Sequence, residues 1–192
     1  MEEMRVLIEK LIGEKITDKL WLKVQDLFNE QVFKKGELFA EEGTKPRNVA
    51  FVVEGVFMMS TMNAKGKEFV KRFATAKTFL APYVSIVSKK ENKVKIKALT
   101  ESRLYVGNFD RIEDLAKTNI QIERLLRKIA EYFFIKRSEG ESQFALYEAE
   151  QRYQIFLDNH KEIQSIVPQY LIASFLGVSP TQLSRIRAKI KK

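Results

Sequence analysis

The sequence predicts an α+β protein in which helical ends flank a β-rich middle. The first 28 residues show helical periodicity, residues 31–109 form short apolar segments between glycine turns, and helical periodicity returns from there to the C-terminus. With 192 residues, the chain is long enough for one large domain or two small ones with a substantial hydrophobic core.

Composition excludes several kinds of functional site. The chain contains no cysteine and a single histidine, His160. Without cysteine there is no disulfide scaffold, thiolate metal site or iron–sulfur cluster, and one histidine disfavours a histidine-rich metal site or a catalytic triad. We therefore expect no cofactor and no metal site, and a surface role for His160 at a helix end.

Charge and hydropathy indicate the partners of the chain. Lys and Arg number 34 against 25 Asp and Glu, so the net charge of +9 favours a polyanionic partner such as nucleic acid. The N-terminus lacks the pattern of a signal peptide, and the uncharged apolar stretches fall short of the roughly 18 residues that a membrane-spanning helix needs. We expect a cytoplasmic protein with no membrane contact.

Two amphipathic helices are predicted within the first 28 residues, the second with Leu20, Val24, Leu27 and Phe28 on its buried face. The first carries apolar residues at helical spacing and ends at Gly13, and the second begins near Thr17, a good N-cap residue. From Gln31 to Phe109, Val-, Phe- and Ile-rich segments alternate with turns that contain glycine. Short strands at this spacing predict a compact antiparallel barrel or sandwich.

A heptad pattern follows Phe109. Its members are Leu115, Ile122, Leu126, Ile129 and Phe133. Two to three heptads of apolar residues predict a coiled-coil-like dimer seam, and the alternative is an amphipathic helix packed on its own barrel. The polar segment 137–142 breaks the pattern and predicts a hinge, with Ser142 as the N-cap of the next helix.

Residues 169–189 have the pattern of a helix-turn-helix unit. Ala173 is small enough for two helices to cross closely, and Gly177 suits the tight turn between them. Ser179 is a good N-cap, and Pro180 suits the first position of the second helix. The positions that should join the two helices are all apolar: Ile172, Leu176, Val178, Leu183 and Ile186.

The exposed face of the second helix carries the residue types that read DNA. Short polar side chains reach base edges, and Arg or Lys contacts guanine or phosphate. We expect DNA contacts from Ser179, Thr181, Gln182, Ser184, Arg185, Arg187 and Lys189. The alternative is a helical hairpin with a solvated basic face.

The order of these parts resembles the Crp/Fnr family of bacterial transcription regulators. The motifs that carry the resemblance are Phe33-Lys34-Lys35-Gly36-Glu37, Glu42-Gly43, Phe51-Val52-Val53-Glu54-Gly55, Gly66-Lys67-Glu68, Ala98-Leu99-Thr100 and the segment 178–187. The resemblance implies a β-roll sensor domain of the double-stranded β-helix, or jelly-roll, type over residues 1–110. It further implies a dimerisation helix over 111–138 and a helix-turn-helix domain over 139–192.

The same resemblance implies a set of partners. A family member acts as a homodimer on double-stranded DNA with an inverted-repeat operator, contacts RNA polymerase and responds to a small-molecule effector. The family usually continues beyond the recognition helix into a β-hairpin wing, whereas this sequence stops at Lys192. We expect Lys189, Lys191 and Lys192 to replace the backbone contacts of the wing.

One departure from the family concerns the effector. Cyclic-nucleotide binders carry a Gly-Glu pair that grips the ribose and an Arg that neutralises the phosphate. Here the corresponding stretch 79–85 has neither Gly nor Glu, and the Arg position falls near Asn92-Lys93. We expect that cyclic AMP is not the effector, and that an unidentified small molecule binds beside Phe79, Tyr83 and Ser85.

Two other functional classes remain open at this stage. A cupin-type enzyme shares the β-roll topology but needs several histidines for its metal, so we expect no enzymatic activity. The second is a protein-interaction module with a cyclic-nucleotide-binding-like fold and no operator-specific DNA binding.

Overall fold

The structure, a computed structural model, describes residues 1–190. Lys191 and Lys192, expected to contact the DNA backbone, lie outside the described residues. The chain begins with helices α1 (Glu2–Ile12) and α2 (Asp18–Gln25). Both predicted end signals are present: Gly13 adopts a left-handed φ of 77°, and the Thr17 hydroxyl accepts a hydrogen bond from the Leu20 amide.

Eight antiparallel strands form two four-stranded sheets, which we call the roll. They are β1 (Phe28–Phe33), β2 (Leu38–Ala40), β3 (Asn48–Glu54), β4 (Phe57–Met62), β5 (Glu68–Ala74), β6 (Thr78–Leu80), β7 (Lys95–Ala98) and β8 (Ser102–Asn108). The strand orders are β1-β8-β3-β6 and β2-β7-β4-β5. This arrangement confirms the α+β fold class and the antiparallel roll that the sequence predicts.

The space between the two sheets is filled by side chains. Phe57, Ile96 and Leu104 are fully buried there. The ring of Phe33 lies 5.9 Å from that of Phe57 and 6.1 Å from that of Phe39, both in edge-on geometry. The interior of the roll is therefore a packed core.

One helix lies between β6 and β7, and two further helices lead from the roll to the C-terminal part. They are α3 (Tyr83–Ser88), α4 (Phe109–Thr118) and α5 (Ile120–Leu146). The expected single helix over 111–138 is two helices, because Asn119 leaves the helical conformation with φ −142° and its side chain caps α5 at Gln121 and Ile122. A local side-chain cap therefore sets the break, which the heptad pattern did not reveal.

The predicted hinge over 137–142 is wrong, since α5 continues through it to Leu146. Side-chain ion pairs at helical spacing support this segment: Lys136 with Glu139 at 2.8 Å and Arg137 with Glu141 at 2.8 Å. Gly140 costs a helix only about 1 kcal/mol relative to alanine, which is not enough to end it. The chain leaves the helix at Tyr147 instead.

The last three helices, α6 (Ala149–Asn159), α7 (Gln169–Leu176) and α8 (Pro180–Ile190), form what we call the head. The head packs against the outer face of the sheet that contains β4 and β5. Met58 and Phe73 of that sheet share one hydrophobic cluster with Phe156 of α6 and Ile172 of α7. Head and roll are thus joined by a continuous core. Within residues 1–190, no helix combines the length and apolar character needed to cross a membrane.

Candidate nucleic-acid interface and effector cavity

The helix-turn-helix geometry depends on the turn at Gly177. This residue adopts φ 69°, and the following amide of Val178 donates to the Ala173 carbonyl at 3.0 Å. A β-carbon at Gly177 would lie 2.8 Å from the Phe144 ring of α5. The backbone conformation therefore favours glycine here, and a β-carbon would also force the exposed Phe144 ring to move.

The start of α8 is fixed by a reciprocal capping pair. The Gln182 amide donates to the Ser179 hydroxyl at 3.2 Å, and the Ser179 amide donates to the Gln182 side-chain oxygen at 2.8 Å. Ser179 and Gln182, two of the predicted DNA contacts, thus bond to each other's backbone amides and cap the helix. Their direct structural role is to set where the recognition helix begins.

The exposed face of α8 carries three side chains with free polar groups. Thr181, Ser184 and Arg185 point away from the buried residues Leu183 and Ile186. Among the described residues, no side chain or carbonyl is hydrogen-bonded to any of these three polar groups. They can therefore exchange water for a polar or anionic ligand without breaking a contact within the protein.

Arg187 and Lys189, the other two predicted DNA contacts, are not freely available on this face. Arg187 is half-buried. Lys189 is exposed but forms an ion pair with Glu150 of α6, at 2.6 Å and 2.9 Å to the two carboxylate oxygens. A phosphate contact from Lys189 requires it to leave this carboxylate.

Arg152 of α6 is a positioning residue that the sequence pattern did not reveal. Its guanidinium donates from Nε and Nη2 to the Leu176 carbonyl, and from Nη1 to the Tyr147 carbonyl at 2.6 Å. It also lies 5.0 Å from the centre of the Phe144 ring. Arg152 thereby ties the end of α7 to the end of α5, and no periodicity of the sequence signals such a contact.

Ser174 joins the head to the roll. Its hydroxyl accepts the Val70 amide at 3.1 Å and donates to the Glu68 carbonyl at 3.3 Å. These groups lie on the open edge of β5, whose other edge pairs with β4. Ser174 thus supplies partners that an edge strand would otherwise lack.

His160 does not have the surface role expected for it. Its ring lies between the roll and the head, with ring centres 6.3 Å from Phe73, 5.2 Å from Phe156 and 6.0 Å from Phe175. Burial lowers the pKa of His160, and the charges of Arg72 and Lys136 act in the same direction while Glu162 opposes them. A neutral imidazole therefore fills this aromatic site.

A second candidate site is a cavity of about 40 Å³ between the roll and helices α1, α2, α4 and α5. Phe79 and Tyr83, two of the three expected effector residues, line it. Ser85 does not line the cavity, because its hydroxyl is turned away and donates to the Lys90 carbonyl at 2.6 Å. The expectation for Ser85 is therefore corrected.

The position near which the family carries its phosphate-binding arginine holds a structural residue. Asn92 is buried, and its amide donates to the carbonyls of Glu41 at 2.7 Å and Val94 at 2.6 Å. The bond to Glu41 joins two loops of the roll, and the bond to Val94 is local. Asn92 itself therefore supplies no charge for a phosphate, and the charge of the neighbouring Lys93 lies on the exposed surface.

The predicted dimer seam faces the inside of its own protomer. All five of its residues, Leu115, Ile122, Leu126, Ile129 and Phe133, line the cavity. The expectation of a partner contact is wrong for Ile122, which is only 1% exposed in the single chain. The other four are partly exposed, so a partner contact through them stays a prediction, and the roll and α1 cover only part of the apolar face.

Apolar side chains open to solvent lie farther along α5. Phe134 is 73% exposed, and Ile135 and Leu146 are also exposed. In the part of the chain that the structure describes, no group of three or more His, Asp or Glu side chains is arranged to hold a metal ion.

Comparison with known proteins identifies the fold. Residues 30–119 match the family model described as the cyclic nucleotide-binding domain. No curated protein sequence matches the chain.

Solved structures match over most of the chain. FixK2 from Bradyrhizobium japonicum has a TM-score of 0.74 and 16% identity, over 85% of this chain and 84% of that one. The regulator CLP from Xanthomonas campestris, described as responsive to c-di-GMP, has a TM-score of 0.71 and 13% identity, over 91% and 92% of the two chains.

A Crp/Fnr-family regulator from Eubacterium rectale has a TM-score of 0.72 and 14% identity, over 92% of this chain and 84% of that one. All three matches include both the roll and helical C-terminal residues, since each covers more than four fifths of this chain. The chain therefore combines a segment that matches the cyclic nucleotide-binding domain family with the overall fold of the Crp/Fnr-type transcription regulators.

Proposed function

We propose that the protein is a sequence-specific DNA-binding transcription regulator that acts as a homodimer. The observation that carries this proposal is the exposed face of α8, where Thr181, Ser184 and Arg185 have no partner within residues 1–190. The helix is fixed by its cap at Ser179 and by the buried contacts of Leu183 and Ile186. The similar structures described as transcription regulators support the same function. A regulator whose partners are double-stranded DNA and RNA polymerase would act in the cytoplasm.

Arg185 is the proposed base-reading residue. Its planar guanidinium can donate two parallel hydrogen bonds to the major-groove edge of guanine. Thr181 lies about one helical turn before it and is placed to reach an adjacent base pair or a phosphate. Arg187 and Lys189 are assigned to backbone phosphates, Lys189 after release from Glu150.

The proposed dimer uses the exposed part of α5 beyond Phe133. Phe134, Ile135 and Leu146 present apolar surface to solvent there, and a second copy of α5 would cover it. A two-fold dimer presents its recognition helices to successive major grooves about 34 Å apart. The operator should therefore be an inverted repeat with half-sites roughly one helical turn apart.

The first experiment selects bound sites from a random pool of duplex DNA. On the operator so obtained, Arg185→Ala should cost about 1–3 kcal/mol and relax preference at one position in each half-site. Lys189→Ala should weaken all sequences alike and reduce the salt dependence of binding. The control is Lys10→Ala, which removes an exposed positive charge on α1 and should leave binding unchanged.

Equal losses of specific and random-sequence binding in Arg185→Ala would make Arg185 a phosphate contact. Failure of the selection to enrich any site would contradict sequence-specific DNA binding. In that case, an absence of salt-dependent binding to random duplex would favour the protein-interaction module.

A further inference from the structure

The interior of the roll is a packed apolar core. Aromatic rings of Phe33, Phe39 and Phe57 fill the space between the sheets, and Asn92 bonds two loops together where a phosphate would need a cation. The apolar cavity outside this core is therefore the better candidate for a ligand site.

The cavity between the roll and the helices differs from that interior in place and in chemistry. Phe79 and Tyr83 form its wall on the roll side, and Leu115, Leu126, Ile129 and Phe133 form much of its helical wall. Among residues 1–190, no charged side chain lines it. Burial raises the pKa of Tyr83, so the phenol of this lining residue remains neutral.

The lining and the volume restrict the class of ligand. A charged molecule would lose its hydration without gaining a partner, which is strongly unfavourable. A drug-sized ligand needs roughly 300–1,000 Å³, whereas this cavity has about 40 Å³. Each water-sized volume corresponds to about 10–15 Å³, and apolar cavities stay dry and accept apolar molecules.

We propose that this cavity is the effector site, and that its ligand is an uncharged apolar molecule of a few heavy atoms. The effector role rests on the proposed function in DNA binding. The site itself rests only on the geometry and chemistry of the cavity.

The walls of the cavity offer a physical route to the head. The ring of Phe133 lies 5.0 Å from that of Tyr83, and the Arg72 guanidinium lies 5.4 Å from the Phe133 ring centre. Arg72 also donates to the Tyr132 hydroxyl at 2.8 Å. Its neighbour on β5, Phe73, packs on the head. A molecule that displaces Phe133 therefore acts on the strand that holds the head.

Xenon is a suitable probe, because it is uncharged, apolar and small. In protein with labelled methyl groups, xenon pressure should produce saturable chemical-shift changes at Leu126 and Ile129. The methyl groups of Ile172 and Leu183 in the head core are the internal control. Their chemical shifts should show no saturable change with xenon pressure. Cyclic AMP should leave the cavity methyl groups unshifted.

Two variants sharpen this test. Leu126→Phe should fill the cavity and remove the xenon response. If that variant does not fold, Ile129→Val enlarges the cavity and should strengthen the response. Absence of saturable shifts in the wild type, or an unchanged response in a folded Leu126→Phe variant, would overturn the site.

The effector role has its own measurement. Saturating xenon should change the dissociation constant for the selected operator by about fivefold or more in the wild type and leave it unchanged in Leu126→Phe. Saturable methyl shifts without any change in operator affinity would overturn the effector role alone. Failure of the xenon-free protein to bind any operator would contradict the proposed function, while the methyl shifts would still report on the cavity.

Discussion

His160 couples protonation to folding because its ring lies among three phenylalanines. The lowered pKa means that the folded state takes up a proton less readily than the unfolded chain, whose histidine titrates near 6.5. Below that pH the unfolded state binds more protons, so stability falls as the pH drops from about 6.5 towards the folded-state pKa.

We expect the free energy of unfolding to decrease between pH 7.5 and pH 5.5, measured by urea denaturation. His160→Phe keeps an aromatic ring in the site and removes the titration, so its stability should change less over the same range. A wild type and a variant with parallel pH profiles would show that His160 is not responsible.

At the scale of elements, replacing two glycines by alanine should change stability in opposite directions. Gly140 lies inside α5, where an added β-carbon meets no atom within 4 Å, so Gly140→Ala should stabilise the protein by about 1 kcal/mol. Gly177→Ala should destabilise it by about 1–2 kcal/mol or more, because φ is 69° and Phe144 lies against the added carbon. Urea denaturation of both variants measures the difference, and a shift of the same sign in both would contradict this account.

The two faces of α5 can be separated by matched lysine substitutions. Phe134→Lys should leave the fold intact and weaken the dimer about 100-fold or more, since each dimer would lose two buried phenylalanines worth roughly 1.5–3 kcal/mol each. Ile122→Lys should instead unfold the protomer, because it buries an unpaired charge.

Sedimentation velocity with circular dichroism distinguishes these results. A monomeric wild type, or a Phe134→Lys variant that remains dimeric, would show that the exposed part of α5 is not the interface.

The elements that could be predicted from the sequence are those determined by a few neighbouring residues. Gly13, Thr17, Gly177 and Ser179 define helix ends through their own conformation or their own hydrogen bonds. A heptad pattern shows that one face of a helix is apolar but not which surface covers it. For that reason the pattern predicts a partner contact for the whole seam, whereas the structure buries Ile122 within its own protomer and leaves the other four residues partly exposed.

At the scale of the whole molecule, the contact of head and roll could not be predicted, because it joins residues more than 100 positions apart. Ser174 and Val70, which form this contact, show no shared periodicity. The sequence predicts the lining of the cavity in part. Phe79 and Tyr83 lie in it, but the Ser85 hydroxyl donates to the Lys90 carbonyl in the loop after α3.

The contribution of Ser174 to this contact can be measured directly. Ser174→Ala leaves the Val70 amide and the Glu68 carbonyl without their partner and should cost about 1–3 kcal/mol of stability. Hydrogen exchange of the Val70 amide should become faster. Ser184→Ala, on the exposed face of α8, is the matched control and should change stability by less than about 0.5 kcal/mol. Unchanged exchange at Val70 would show that Ser174 does not protect this edge.

The place of α7 along β5 has a consequence for self-association. If the head moves away, β5 presents unpaired amides and carbonyls, and Met58, Val70 and Phe73 on the adjoining sheet face meet water. An open strand edge beside an apolar face is a template for pairing with another chain. The head of one molecule can also dock on the roll of a second, because the surfaces are the same in every copy. Any loosening of the head, whatever its cause, therefore brings a risk of domain swapping and aggregation that grows with protein concentration.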